Sequence, residues 1–362
     1  MAPPIVGLLG VSEMMRRVLA ILGLVLVVVI ALFAIMSRGG TGAVPSTHPR
    51  PFSQPAKQMA GPAKGIPPGI VPAALYVEPE AGVTPLTRLL DGAKKSIFVE
   101  SYFLSDTAII HALERAEAQG VKVNVLLDEY PLGLSSYTKR VYDELMAANI
   151  PVRWTASTFR FTHAKYMVID DATAIISTAN FSASAFRSNR EVIAIVRKPV
   201  DVTDLSNLFR ADWDRISPQL HTPDLIVSPI NARADLTRLI ASARHSIDIY
   251  DEEMQDPQIE SLLTTVARKG VKVRVLLPEG AASGRHRPPE SLLRVVKVRE
   301  LHSPYVHAKV IMIDRGESYI GSENLSATSL DDNREVGVFL RGPLTSVQND
   351  FNHDWDRAQP PA

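Results

Sequence analysis

Two stretches of the chain carry the same polar residues in the same order. The first reads His163-Ala-Lys165, then Asp170, Ser177-Thr-Ala-Asn180 and Asn189-Arg-Glu191. The second reads His307-Ala-Lys309, then Asp314, Gly321-Ser-Glu-Asn324 and Asn333-Arg-Glu335. Across His163–Glu191 and His307–Glu335, 12 of 29 aligned positions are identical, and most of the twelve are polar or small. Common descent of a fold would keep the apolar pattern first, so the retained polar set marks a site. Its groups suit phosphodiester chemistry. A neutral imidazole attacks phosphorus and forms a phosphohistidine, splitting one hard displacement into two. A second, protonated imidazole donates to the leaving oxygen and later activates the incoming hydroxyl. Two Lys and two Asn neutralise the non-bridging oxygens, and a Glu on the far ring nitrogen fixes each tautomer. Each half supplies one His, so the halves must face each other across a pseudo-twofold axis.

The spacing says which elements must hold these groups. Residues i and i+2 of a strand share a face, so each His projects with its Lys. The Asn lies 17 residues after the His and the Glu 28 after, which suits two neighbouring strands returning to the same end of a sheet. Asp170 and Asp314 follow their histidines by seven residues, an odd interval that turns them to the other face, as structural ion-pair partners. The repetition extends beyond the motifs. Leu86-Thr-Arg-Leu-Leu90 is echoed by Leu236-Thr-Arg-Leu-Ile240, Gly120-Val-Lys-Val by Gly270-Val-Lys-Val, and Asp212-Trp-Asp-Arg by Asp354-Trp-Asp-Arg. An offset of 150 falling to 142 is a duplicated domain, far longer than a solenoid repeat. Within the first half, Ser96–Phe103 reads as a strand, Asp106 caps a helix ending at Gly120, and Val121–Leu127 is a strand buried on both faces. The fold expected is α/β, two tandem α/β/α repeats paired about a pseudo-twofold axis.

Composition narrows the alternatives. Lys+Arg and Asp+Glu are 39 each, so global charge does not hold a nucleic acid. With no Cys, thiol nucleophiles, disulfides and Fe–S clusters are excluded. Val18–Met36 is 19 residues without a charge, a helix about 28 Å long that matches a bilayer core. Ser37–Pro72 holds eight Pro and six Gly and reads as a flexible tether. The organisation expected is a tail at 1–17, a transmembrane anchor at 18–36, a linker at 37–72, repeat 1 at 73–217 and repeat 2 at 218–358. The paired Arg16 and Arg17 favour a cytoplasmic N-terminus and an exported catalytic part.

The paired motifs resemble the signature of the phospholipase D superfamily, two copies of H-x-K-x4-D each followed by G-S-x-N. The resemblance spans roughly Ala73–Arg357. It implies that His163 is the nucleophile and His307 the general acid and base, with Lys165, Lys309, Asn180, Asn324, Glu191 and Glu335 around them. Ser177 stands where the first G-S-x-N has glycine. The function expected is a membrane-anchored phosphodiesterase that hydrolyses phospholipids or transfers their phosphatidyl group. A nuclease on DNA or RNA is the alternative, and cardiolipin-synthase-like transfer a third. The nuclease reading draws on Arg268–Arg299, which holds nine Lys/Arg against two Glu, including Arg285 and Arg287 as substrate-approach residues. No cofactor or metal is expected, and no protein partner is implied, because one chain carries both halves of the site. The expected partners are a phospholipid membrane and a phosphodiester substrate. Asp251-Glu252-Glu253 reads as a solvated strand end, Trp213 and Trp355 as core anchors, and the remaining histidines as solvated or capping groups.

Overall fold

Asp106 and Asp256 show how local sequence sets the elements. Asp106 accepts from the backbone N–H of Ala108 and Ile109 at 3.0 and 3.3 Å, and Asp256 from Gln258 and Ile259 at 3.0 and 2.9 Å. Each helix so started ends before a glycine in the left-handed region, Gly120 at φ +84° and Gly270 at +98°. The chain then turns directly into a strand parallel to the one before the helix. The computed structural model describes residues 67–283 and 287–361. The expected anchor at 18–36 and Arg285 lie outside the described residues. Among those described, no helix is long and apolar enough to cross a membrane.

The first half contains β1 (Ala74–Glu78), α1 (Thr84–Asp91), β2 (Ser96–Ser101), α2 (Thr107–Ala118), β3 (Lys122–Leu127), α3 (Ser135–Ala147), β4 (Val152–Trp154), β5 (Lys165–Ile169), β6 (Thr173–Ser177), β7 (Asn189–Val196) and α4 (Pro199–Asp214). The second contains β8 (Leu225–Ser228), α5 (Ala232–Ser242), β9 (Ser246–Tyr250), α6 (Pro257–Arg268), β10 (Lys272–Pro278), α7 (Glu290–Leu293), β11 (Lys297–Leu301), β12 (Tyr305–Val306), β13 (Val310–Ile313), β14 (Glu317–Gly321), α8 (Ala327–Asp331), β15 (Glu335–Arg341) and α9 (Thr345–Arg357). The strand orders are β1-β7-β6-β5-β2-β3-β4 and β11-β10-β9-β13-β14-β15-β8. The sheets are mixed: β2, β3 and β4 run parallel, while β5, β6 and β7 are antiparallel neighbours.

Strand alternation sorts side chains into layers. Ile97, Val99, Met167 and Ile169 pack outward with α1, α2 and α3, and Ile247, Ile249, Val275 and Leu277 do the same against α5 and α6. Phe98, Tyr166 and Val168 instead join Leu276, Val310 and Met312 in a central core shared by both halves, together with Phe209 of α4 and Phe351 and Trp355 of α9. Period-2 patterning on both faces thus builds one continuous interior. The expected tether ends earlier than Pro72: Ile70 is buried in this core, and its N–H donates to Phe339 O at 3.1 Å. A single aliphatic within a Pro/Gly run carried too little signal to show this.

The halves are locked by exchanged arms. Buried Arg190 pairs with Asp354 of the other half at 2.7 Å, and buried Arg334 with Asp212 at 2.9 Å. Both aspartates open the repeated Asp-Trp-Asp-Arg segments. Removing either partner strands a buried charge, at a cost of about 3–5 kcal/mol. Backbone bonds cross alongside: β12 joins the first sheet beside β7, and His163 N–H donates to Arg334 O at 2.8 Å.

Candidate active site

The arm exchange decides which carboxylate meets which imidazole. His163 Nδ1 lies 2.9 Å from Glu335 Oε2, and His307 Nδ1 lies 2.7 Å from Glu191 Oε1. Each histidine is therefore oriented by the glutamate of the opposite half. The sequence expectation put all four functional types of one half at one sheet end. β5, β6 and β7 do neighbour one another as expected, but Glu191 serves the partner motif. Glu335 is itself held by Asn333 Nδ2 at 2.9 Å and by the Ser329 hydroxyl, and Glu191 accepts from Thr178 Oγ1 at 2.6 Å. With Nδ1 engaged, Nε2 is the ring nitrogen each histidine offers to a substrate.

His163 and Lys165 project together against Tyr102. The histidine ring stands edge-on to it at 4.7 Å, and Lys165 Nζ lies 5.2 Å from its centroid. Lys165 and Lys309 each donate to the carbonyl of their own histidine, Lys309 at 2.5 Å. Burial lowers His163 to about 4 against the pull of Glu335, so its imidazole is neutral at pH 7. Burial also brings Lys165 down to about 7, again opposed by Glu335. The charges of Lys309, Glu191 and Glu252 all act on Lys165, so the halves make a single electrostatic site. Asn180 Oδ1 and Asn324 Oδ1 are buried without a hydrogen-bond partner among the described residues. Buried polar atoms left open in this way are suited to a polar ligand.

Three expectations change. Asp170 and Asp314 are structural, but they are not ion-pair partners. Asp170 accepts the backbone N–H groups of Lys94, Lys95 and Ser96, and Asp314 those of Arg244, His245 and Ser246. Although desolvation opposes ionisation, these donors hold both carboxyls below the usual range. Both sit at positive φ, 56° and 51°, where an Asp is tolerated and the chain leaves the strand.

Asp251-Glu252-Glu253 is not a solvated strand end. Asp251 is buried, accepts from Leu325 N–H at 3.0 Å, and is pushed up to about 7 by desolvation. Glu252 lies in the site, 2.9 Å from Lys309 Nζ and 3.3 Å from His307 Nε2. Burial would raise Glu252, but His307 and Lys309 overcome it and hold the carboxyl well below its usual range. The signal was available: Glu252 stands four residues before the cap Asp256, as Tyr102 does before Asp106.

Arg287 pairs with Glu290 at 3.4 Å, on the short α7 and its preceding loop, so the basic stretch is partly neutralised within itself.

Ser177 in place of glycine has a steric reason. A Cβ on Gly321 would meet Tyr319 Oη at 2.2 Å and Gly337 Cα at 2.5 Å. In the first half Ile175 stands where Tyr319 does, and Ser177 fits, its hydroxyl accepting from Ala179 N–H at 2.9 Å.

Two mixed sheets joined about a shared core, with a His, Lys, Asn and Glu set from each, define a duplicated α/β fold. The chain belongs to the phospholipase D superfamily: the family described as "Cardiolipin synthase, PLD-like domain" matches residues 86–213 and 236–355. It is similar to the cardiolipin synthase of Geobacillus thermodenitrificans, 26% identical over 321 residues, which cover 75% of this chain and 63% of that protein. The cardiolipin synthase of Geobacillus kaustophilus is also 26% identical, over 319 residues and again 63% of its length. The chain thus spans less than two thirds of these curated relatives. Among solved structures, the fold is similar to phosphatidylserine synthase from Haemophilus influenzae, with TM-score 0.59, 15% identity, and coverage of 80% of this chain and 87% of that one. Polyphosphate kinase from Porphyromonas gingivalis gives TM-score 0.62 at 19% identity, over 77% of this chain and 46% of that one.

Proposed function

We propose that this chain transfers phosphatidyl groups between alcohols in membrane phospholipids through a phosphohistidine on His163. The observation that carries the reading is the crossed pairing, in which Nδ1 of each imidazole lies within 3 Å of the other half's glutamate and Nε2 is left for the substrate. The neutral His163 is in the protonation state a nucleophile needs. In the first step, His163 Nε2 forms a bond to phosphorus, the phosphorus–alkoxide bond breaks, and His307 gives its proton to the departing oxygen. In the second, an acceptor hydroxyl loses its proton to His307 and bonds to phosphorus as the phosphorus–nitrogen bond breaks. Lys165, Lys309, Asn180 and Asn324 neutralise the non-bridging oxygens throughout.

Transfer is favoured over hydrolysis by the relatives, which are named as cardiolipin synthases. The apolar stretch 18–36, acting as an anchor, would concentrate the site at a bilayer. The test is incubation of the full chain with head-group- and acyl-labelled phosphatidylglycerol, in chelator, beside labelled single-stranded DNA. A new phosphatidyl ester, and an acid-labile acyl-labelled protein adduct that His163→Asn abolishes, are expected. Cleavage of DNA with no lipid turnover overturns the reading in favour of the nuclease.

A further inference from the structure

The two halves repeat each other closely around the histidines, and one position breaks the repeat. Tyr102 and Glu252 follow the matched strands β2 and β9 and precede the matched caps Asp106 and Asp256 by the same four residues. Tyr102 gives His163 and Lys165 an aromatic wall, with its Oη accepting from Leu132 N–H at 2.7 Å. Glu252 gives His307 and Lys309 a carboxylate. Its Oε2 is 3.3 Å from His307 Nε2 and 2.9 Å from Lys309 Nζ, and its Oε1 accepts from Tyr305 Oη at 3.0 Å.

His307 Nδ1 is occupied by Glu191, so Nε2 is the nitrogen that exchanges a proton with the departing and arriving alcohol. A carboxylate 3.3 Å from that nitrogen lies within reach of an alcohol bound there. We infer that Glu252, braced by Tyr305, is a specificity-determining residue that holds a second hydroxyl of a polyhydric acceptor while His307 takes the proton from the first. The inference rests on the reading of the preceding subsection. The chemistry fits: an ionised carboxylate only accepts, so it selects a donor, and its bond to a hydroxyl is charge-assisted. The Glu252 side chain is 24% exposed, which leaves room to release Lys309 to a phosphoryl oxygen while keeping Tyr305. A monohydric alcohol has no second hydroxyl to offer this carboxylate and so loses the bond that a polyhydric acceptor gains.

The experiment uses the full chain with a phosphatidyl ester of p-nitrophenol, whose departure needs little acid catalysis. Glycerol, propan-1-ol and ethanolamine then compete for one phosphoenzyme, and the phosphatidyl products are counted by mass spectrometry. Their ratio reports the second step alone and is independent of how much enzyme is folded. Wild type should favour glycerol over propan-1-ol on the order of tenfold or more. Glu252→Gln should keep part of that preference, Glu252→Ala should bring it close to one, and Tyr305→Phe should reduce it several-fold. A wild-type ratio near one, or a ratio within twofold of wild type in Glu252→Ala, overturns the inference and leaves the transferase reading intact. Preference for ethanolamine overturns the hydroxyl assignment. Should the Glu252 variants fail to fold, Tyr305→Phe decides, and an unchanged ratio there overturns it. No transfer to any alcohol by wild type removes the transferase reading and this inference with it.

Discussion

Replacing Lys165 with methionine should make the protein more stable and inactive. The ammonium is fully buried and titrates at about 7, because desolvation outweighs the attraction of Glu335. The ordinary value is 10.5. A lysine whose folded pKa lies below its unfolded one is penalised fully below the folded value, and the penalty fades as pH rises from about 7 to 10.5. The gap of about 3.5 pH units corresponds to roughly 5 kcal/mol. Methionine fills a similar volume, but it loses the bond to the His163 carbonyl, worth about 1 kcal/mol, and leaves Glu335 with less positive charge nearby. A net gain of about 2–4 kcal/mol is expected at pH 6, or roughly 3–6 °C in thermal midpoint for a protein of this size. By pH 10.5 the gain should be gone. Thermal unfolding of the full wild-type and Lys165→Met chains at pH 6, 8 and 10, followed by tryptophan fluorescence, measures it. Destabilisation at pH 6, or an equal change at pH 6 and pH 10, would refute the account of Lys165 as a buried charge kept for chemistry at a cost in stability.

Crossed pairing predicts crossed kinetics on a phosphatidyl ester of p-nitrophenol, whose departure needs little acid: Glu335→Gln should slow phosphoenzyme formation and Glu191→Gln its breakdown, each on the order of 10²–10⁴-fold, as read by rapid-quench bursts. If both variants slow the same step, the division of roles fails. Gly321→Ala should lower stability by about 1–3 kcal/mol, seen as a lower thermal midpoint, since its Cβ has no room beside Tyr319 and Gly337. Turnover should survive EDTA, because the paired lysines supply positive charge to the phosphoryl oxygens; loss on chelation with recovery on adding a divalent ion would contradict this. Deleting residues 1–66, which spares the packed Ile70, should cut activity on vesicles at least tenfold more than on short-chain soluble lipid. Equal loss on both substrates would remove the tether from the mechanism.

What the sequence determined by itself is what repeats locally or by strict interval. Asp106 and Gly120 bounded a helix because a cap and a left-handed glycine act within one turn of chain. The apolar run after Gly120 reads as a strand, and the doubled His-Lys-Asn-Glu set reads as two halves of a site, because identical polar residues at identical intervals have little other cause. The displacement of Asp170 from the chemistry was expected from strand parity, but its cause is different: Asp170 lies past the end of β5, where the chain turns at positive φ. Its partners were not legible, because backbone N–H groups 74 to 76 residues away leave no mark in composition.

Only the tertiary structure decided which carboxylate orients which imidazole. Glu191 is closer in sequence to His163, but β7 and β15 exchange their first residues across the seam, so Glu191 meets His307 and Glu335 meets His163. The same seam turned Asp212 and Asp354 from helix-end polar residues into partners of buried arginines. Glu252 was misjudged for a related reason. A run of three acidic residues reads as solvated until the opposing strand brings Lys309 and His307 against it. Intervals along a chain fix which groups share a strand and a face, whereas charge pairing between domains depends on which surfaces become buried together. That juxtaposition exists only once the two sheets have closed on their common core.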